Sequence, residues 1–254
     1  MLALERRNLI LEELQDKKKV VVGDLSRRFD VSEETIRRDL EKLERDGYAT
    51  KSYGGAVLND NVGFDMPLTI RSRKNVEAKQ KIASLAADLV HDGDHIMLDA
   101  SSTDLFIAKA IKNKQKLTVV TNSIEIILEL SEVPDWNVIS TGGTVKSGYL
   151  ALLGPAAEES TASYFADKAF ISCKALNFEH GIMDSIEAFS TMKRKTIECA
   201  QKSYLVVDGT KFGKSAFTRT GPIELVDGII TDTRPDDRWL EYFDSTGTEC
   251  IYPE

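Results

Sequence analysis

Residues 32–47 read SEETIRRDLEKLERDG, and the adjacent arginines Arg37 and Arg38 are the side chains there best suited to meeting a polyanion. A guanidinium is planar, forked and always charged, so it grips guanine O6 and N7 together, or a phosphate. A second kind of chemistry recurs farther along. IMLDASST offers Asp99, Ser101, Ser102 and Thr103, and VVTNS offers Thr121, Asn122 and Ser123. ISTGGTVK offers Gly142 and Gly143, and YLVVDGTKFGKS offers Asp208 and Lys211. Hydroxyls, free amides and a lysine suit a phosphate, while carboxylates suit sugar hydroxyls. Bland explanations exist for both sets. Arginines one turn after glutamates form ordinary helix pairs, as Glu34 with Arg38 and Glu41 with Arg45 would. Ser, Thr and Gly more often cap helices and make turns. The surrounding elements decide between the two.

Around the arginines the apolar spacing is helical. Ile36, Leu40 and Leu43 fall on one narrow stripe at about 100° per residue, which places Arg38 nearly opposite and Thr35 and Arg37 on its flanks. Ser32 is placed to cap this helix and Gly47 to end it. Before it, Asp24 is expected to cap a short helix holding Leu25 and Phe29, with Asp30 and Val31 as the turn. An amphipathic helix over 2–16 comes first, closed by three lysines, Lys17, Lys18 and Lys19. After it, YATKSYGGAVL alternates β-formers around a turn at Gly54 and Gly55, a hairpin that lays Lys51, Ser52 and Tyr53 along phosphates. Two short helices, a tight turn and a hairpin make a winged helix-turn-helix. Its second helix reads the major groove.

The remaining chain alternates strands and helices. Strands are expected at 95–99, 117–121, 137–140, 169–172, 204–208, 228–231 and 249–252. Helices fit 102–112, 123–131, about 187–201 and 236–243. This order predicts a mostly parallel sheet with helices on both faces. In such sheets ligands bind where strands run into loops, which is where the four polar stretches fall. The domain division expected is 1–58, a polar linker over 59–74, and 75–254.

Bulk properties agree. Residues 1–58 hold 12 Lys and Arg against 12 Asp and Glu, so the whole net charge of −8 falls on the remainder, and two partners are expected. The three cysteines are scattered and no CxxC occurs, which argues against a disulfide framework or a zinc site and for the cytoplasm. His91 and His95 flank a glycine turn and make a poor metal pair. No run is apolar enough to span a membrane, and the charged N-terminus is unlike a secretory leader. No cofactor is expected.

From DLSRRFDVSEETIRRDLEKLERDGYATKSYGGA onward the chain resembles the DeoR family of bacterial transcriptional regulators. RSRKNVEAKQKIASLAA, DKAFIS and MKRK extend the resemblance over essentially the whole length. It implies a winged helix with Ser32, Thr35, Arg37 and Arg38 on the DNA-reading helix. It also implies a second domain akin in fold to ribose-5-phosphate isomerases, sensing a phosphorylated sugar near Asp99, Ser101, Ser102, Thr103, Thr121, Asn122, Gly142, Gly143, Lys193, Asp208 and Lys211. Ser101, Ala175, Phe189 and the Gly209 and Thr210 pair depart from the family's usual residues, which leaves open a different or unphosphorylated ligand, or none. The function expected is a repressor of carbohydrate-metabolism genes, a homodimer or homotetramer on a double-stranded operator, relieved by a sugar phosphate. The alternative is a second domain that retains isomerase activity, with Asp99, Asp208 and Lys211 supplying the base and the group that stabilises the enediol's oxyanion.

Overall fold

Ile10, Leu11 and Leu14 share one side of helix α1 (Ala3–Lys17) and are wholly buried. Lys18 then turns the chain with φ 64°, and Lys19 opens a strand, β1 (Lys19–Val21). The computed structural model describes residues 1–59, 67–146 and 148–254. These form two compact units, Met1–Ile70 and Arg71–Glu254.

In the first unit α2 (Val22–Phe29) and α3 (Glu33–Arg45) follow, then β2 (Ala49–Ser52) and β3 (Gly55–Leu58). Asp24 is not the cap expected of it. Helix α2 begins two residues earlier, and Asp24 lies inside its first turn, 2.5 Å from Arg27. The wing has a third strand, since β1 pairs antiparallel with β3, which pairs with β2. Three residues with only Val20 turned inward are too short to show a period of two. Gly55 belongs to β3 rather than to the turn, because a Cβ there would meet the Val20 carbonyl oxygen at 2.0 Å. Leu25, Phe29, Ile36, Leu40, Leu43 and Ala56 close the core with α1. Within the stretch expected as a linker, residues 60–66 lie outside the described residues. A single helical turn, α4 (Leu68–Arg71), follows them, and Ile70 joins this first core.

The second unit opens with α5 (Val76–Leu89), β4 (His95–Leu98), α6 (Ser102–Ala110), β5 (Thr118–Thr121), α7 (Ile124–Leu130) and β6 (Asn137–Ser140). A hairpin, β7 (Thr144–Lys146) and β8 (Ala151–Leu153), leads to α8 (Pro155–Ala162) and β9 (Ala166–Ile171). Then come β10 (Ala175–Asn177), β11 (Gly181–Asp184), α9 (Glu187–Glu198) and β12 (Ala200–Val206). The chain closes through β13 (Thr218–Gly221), β14 (Gly228–Ile230), α10 (Asp237–Thr246) and β15 (Glu249–Ile251).

Seven strands form one sheet in the order β15-β14-β12-β9-β4-β5-β6, and every pairing in it is parallel. Alternate residues feed opposite layers. Tyr204 and Val206 pack with Ile82, Ile107 and Ile126 of α5, α6 and α7, whereas Leu205 and Val207 pack with Ile197, Trp239 and Phe243 of α9 and α10. The chain leaves β4 toward β5 and β6, then returns to the other side for β9 and β12. The topological switch point therefore lies between β4 and β9. The antiparallel pieces, β7 with β8 and β10-β11-β13, were not expected from the sequence.

Candidate DNA-reading surface and effector site

Helix α3 starts as its sequence asks. Ser32 Oγ accepts from the Thr35 amide at 3.2 Å and lies 2.9 Å from the Thr35 hydroxyl, so both residues are engaged in capping. With Ile36, Leu40 and Leu43 buried, the Arg37 and Arg38 side chains stand 54% and 75% exposed. Each rests on a glutamate one turn back: Arg37 on Glu33 at 2.6 Å and Arg38 on Glu34 at 3.3 Å. Such exposed pairs are worth about 0.3–0.5 kcal/mol, so a base edge or phosphate can displace them.

The wing behaves differently. Lys51 Nζ reaches Glu41 at 3.3 Å and Glu44 at 3.7 Å, and its amide donates to Glu44 Oε1 at 2.8 Å. The lysine therefore folds back on α3. Arg45, left without the Glu41 carboxylate, donates instead to the Glu41 backbone carbonyl. Ser52 is exposed at the end of β2, and Tyr53 stands fully exposed at the turn.

One residue of this surface escaped the sequence reading. Asp39 is 3% exposed; its Oδ2 accepts from Arg6 Nε at 2.6 Å and its Oδ1 from Arg7 at 3.4 Å. The available signal was a carboxylate three residues after Ile36, on the apolar stripe, facing a helix with paired arginines. This buried bridge ties α3 to α1, next in sequence to Arg38.

In the second unit the switch point gathers charge. Asp99 follows β4, Lys193 lies on α9, and Asp184 ends β11. All three are at most 5% exposed. Lys193 Nζ donates to Asp184 Oδ2 and lies 3.5 Å from Asp99 Oδ2. Burial opposes the charge on Lys193, but the two carboxylates hold its pKa above the ordinary lysine value. Burial, with Asp184 adding to it, raises Asp99 against the pull of Lys193. Phe189 takes no acidic role here; its ring lies 5.7 Å from Lys193 Nζ and 4.9 Å from the Tyr149 ring. Asp184 and Asp104 are the residues that sequence reasoning missed. Asp104 is fully buried, and burial and then Asp99 push its carboxyl well up.

The remaining candidate residues cluster along the same edge of the sheet. Ser101 caps α6, accepting from the Asp104 amide at 3.0 Å, and Ser102 and Thr103 lie buried in the first turn. Thr121 donates to the Leu98 carbonyl at 2.7 Å, while Asn122 accepts from the Ala100 amide and donates to the Leu152 carbonyl. Those two residues bind neighbouring loops together. Gly142 and Gly143 take φ 64° and 111°. A Cβ on Gly143 would meet the Leu153 carbonyl oxygen at 2.8 Å and Ala157 Cβ at 2.9 Å, so it permits the chain's own packing. Asp208 follows β12 and accepts from the Thr210 amide at 3.0 Å and from its hydroxyl; Lys211 is half-buried. The edge presents a buried lysine, carboxylates and hydroxyls, a donor and acceptor set fitted to a hydroxylated anion. An open groove of about 490 Å³ between α5 and α6 is lined by none of these residues.

Two family descriptions match the chain. The DeoR-like helix-turn-helix domain covers residues 6–62, and the DeoR C-terminal sensor domain covers residues 74–233. The chain belongs to the DeoR family. It is a DNA-binding transcriptional regulator of the helix-turn-helix type. Among its relatives is an uncharacterized HTH-type transcriptional regulator of Bacillus subtilis, YulB, 39% identical over 93% of this chain and 91% of that protein. The HTH-type transcriptional repressor GlcR of the same organism is 33% identical over 98% of this chain and 96% of its own length. Ribose 5-phosphate isomerase A of Methanocaldococcus jannaschii is similar over 55% of each chain, with 17% identity and a TM-score of 0.40. Within the family frame, α3 is the second helix of the helix-turn-helix, and the switch-point cluster belongs to the sensor domain. No helix among the described residues is long and apolar enough to cross a membrane.

Proposed function

We propose that the protein represses carbohydrate-metabolism genes by placing α3 in the major groove of its operator and releases it when a phosphorylated sugar binds the second unit. The observation that carries this reading is the pairing of two surfaces. An exposed guanidinium pair stands on α3 away from its buried stripe, Arg37 on the flank and Arg38 nearly opposite, and a buried lysine with two carboxylates lies at the sheet's switch point. Arg37 and Arg38 read bases, Ser32 and Thr35 set the start of the helix, and Lys51, Ser52 and Tyr53 approach the backbone. Asp99, Ser101, Ser102, Thr103, Thr121, Asn122, Gly142, Gly143, Lys193, Asp208 and Lys211 build or support the effector site.

The reading divides the chain into a DNA-binding domain over 1–58, a linker over 59–74 and a sensing domain over 75–254, working in the cytoplasm. One winged helix covers few base pairs, so two recognition helices spaced a turn apart, in a homodimer or homotetramer, supply the specificity. Repression by the relative GlcR supports the sign of the effect. Nothing in the site favours the isomerase alternative.

The test is thermal unfolding against matched sugars and sugar phosphates. A ligand at a hundred times its Kd adds about 2.7 kcal/mol to the native state. A shift with a phosphosugar and none with its parent sugar supports the reading, and the same compound must then weaken operator binding. No shift with any phosphosugar rejects it.

A further inference from the structure

Asp104 is 0% exposed, and its carboxyl is not used as its place on α6 would suggest. It stands three residues after Ser101, the cap of the helix, which is the spacing of a capping box. In that arrangement the acidic side chain reaches back to accept from the cap residue's backbone N–H. Here the Ser101 N–H is already spent on the Asp99 carbonyl, at 2.7 Å. The Asp104 side chain does reach back, as helical side chains lean toward the N-terminus, but it meets the Ser101 hydroxyl instead. That hydroxyl accepts from the Asp104 amide at 3.0 Å and donates to Asp104 Oδ2 at 2.5 Å. Oδ1 is buried with no hydrogen-bond partner among the described residues.

The charged groups that face Asp104 are Asp99 after β4 and Lys193 on α9, with Asp184 of β11 on the lysine's other contact. Lys193 makes its ion pairs with Asp99 and Asp184, and no cation among the described residues pairs with Asp104. An ionised carboxylate buried without a cation is strongly disfavoured, so the group keeps its proton. Burial and then Asp99 hold its pKa well above the ordinary aspartate value. The Ser101 hydroxyl has a single proton, and that proton goes to Oδ2. The proton of Asp104 therefore sits on Oδ1. It is a buried donor on the N-terminal side of α6, where the first amides of the helix also lack intrahelical partners.

The bland reading is a capping pair. The cap does not need this carboxyl, because Ser101 holds the amide of residue 104, which any residue supplies. We propose that Asp104 is an effector-binding residue, a neutral acid whose Oδ1 hydroxyl donates to a phosphate oxygen of the ligand beside the first amides of α6. This rests on the reading that a phosphorylated sugar binds the second unit, and it names a group that meets the phosphate. An ionised carboxylate at this place would repel the phosphate, whereas the neutral acid adds a donor to it. Asp104 thereby favours a phosphosugar over its parent sugar.

Two variants separate the proton from the donor. Asp104→Asn keeps the shape, an acceptor for Ser101 and a side-chain donor, and it carries no titrating proton. Asp104→Leu keeps the size and the helix cap but has no donor. Urea titrations read by Trp136 and Trp239, both in the second unit, are run from about pH 5 to about pH 8. The folded wild type holds a proton that its unfolded chain has released, so its stability is lost as pH rises. Its folding equilibrium should fall relative to Asp104→Asn by up to about tenfold per pH unit. A gap between the two that stays constant over that range means an ionised Asp104 and overturns the proposal. Near neutral pH, ribose 5-phosphate and glucose 6-phosphate are then titrated against the thermal midpoint of all three proteins. A phosphosugar that stabilises the wild type should bind Asp104→Asn about as tightly and Asp104→Leu roughly tenfold more weakly. Unchanged affinity in Asp104→Leu, or an equal loss in Asp104→Asn, overturns the contact and leaves the sensor reading in place. If neither compound moves the midpoint of the wild type or of Asp104→Asn, the sensor reading fails for both and the contact falls with it.

Discussion

Substituting Asp39 by Asn tests the bridge that orients the recognition helix. Arg6 is 7% exposed and its Nε meets Asp39 Oδ2 at 2.6 Å, so removing the charge leaves a buried guanidinium uncompensated. Breaking a buried pair from one side costs about 3–5 kcal/mol. Asn keeps a carbonyl oxygen for Arg6, which places the loss near the lower end of that range. Arg7 adds less than about 1 kcal/mol, since its side chain is 26% exposed and its contact is 3.4 Å. Against the 5–15 kcal/mol typical of a whole domain, such a loss is large. The assay exploits the positions of the tryptophans. Trp136 and Trp239 both lie in the second unit, whereas the first unit is rich in helix and holds no tryptophan. In urea, far-ultraviolet circular dichroism of Asp39→Asn should show an early transition that tryptophan fluorescence does not follow. Replacing both partners by apolar residues, Arg6→Met with Asp39→Leu, should restore most of the loss, because two desolvated charges then disappear together. A cost below about 1 kcal/mol in the single variant, or a loss that appears in the fluorescence transition, refutes the reasoning.

Three further outcomes follow from the geometry. Arg38→Ala should cost roughly 1–3 kcal/mol of operator affinity and relax the preference at one base position, measured by competition against substituted operators. Lys51→Ala should weaken binding to every sequence alike and lower the salt slope by about 1, while Glu41→Gln, which removes the nearer of the lysine's two carboxylate partners on α3, should strengthen it. The Lys79 pKa is pushed down to about 8 by burial, with Asp208 opposing, against 10.5 for an ordinary lysine. The unfolded chain then binds more protons between those values, so stability rises with pH across that window. Relative to Lys79→Met, the wild type should gain about 1.4 kcal/mol between pH 7 and pH 9 in urea titrations.

The central parallel strands were legible because they are buried on both faces and read as short apolar runs, as in HIML and YLV before their polar loops. The antiparallel pieces were not. Strand β7 is exposed along its whole length, and β10 is three residues long, so neither carries a periodic signal. Helix α8 was missed for a similar reason: PAAEESTA buries only Ala157 and Thr161, and its start is set by Gly154 at φ 95° and by Pro155 rather than by an apolar stripe.

The site divides along the same line. Residues that follow a strand, such as Asp99 and Asp208, could be placed from the strand itself, since position along the chain fixes them at the sheet edge. Asp184 could not, because it ends β11, a strand of the small antiparallel sheet, and only the three-dimensional fold brings it to Lys193. Asp39 was hidden differently. Its spacing marks it as buried, yet a carboxylate on an apolar stripe is intelligible only once Arg6 is known to face it. The surface arginines thus announce themselves in the sequence, whereas the charges that hold them in place need their partners to be seen. That difference predicts where substitutions will act: at Arg37 and Arg38 on DNA binding alone, and at Asp39 on folding and DNA binding together.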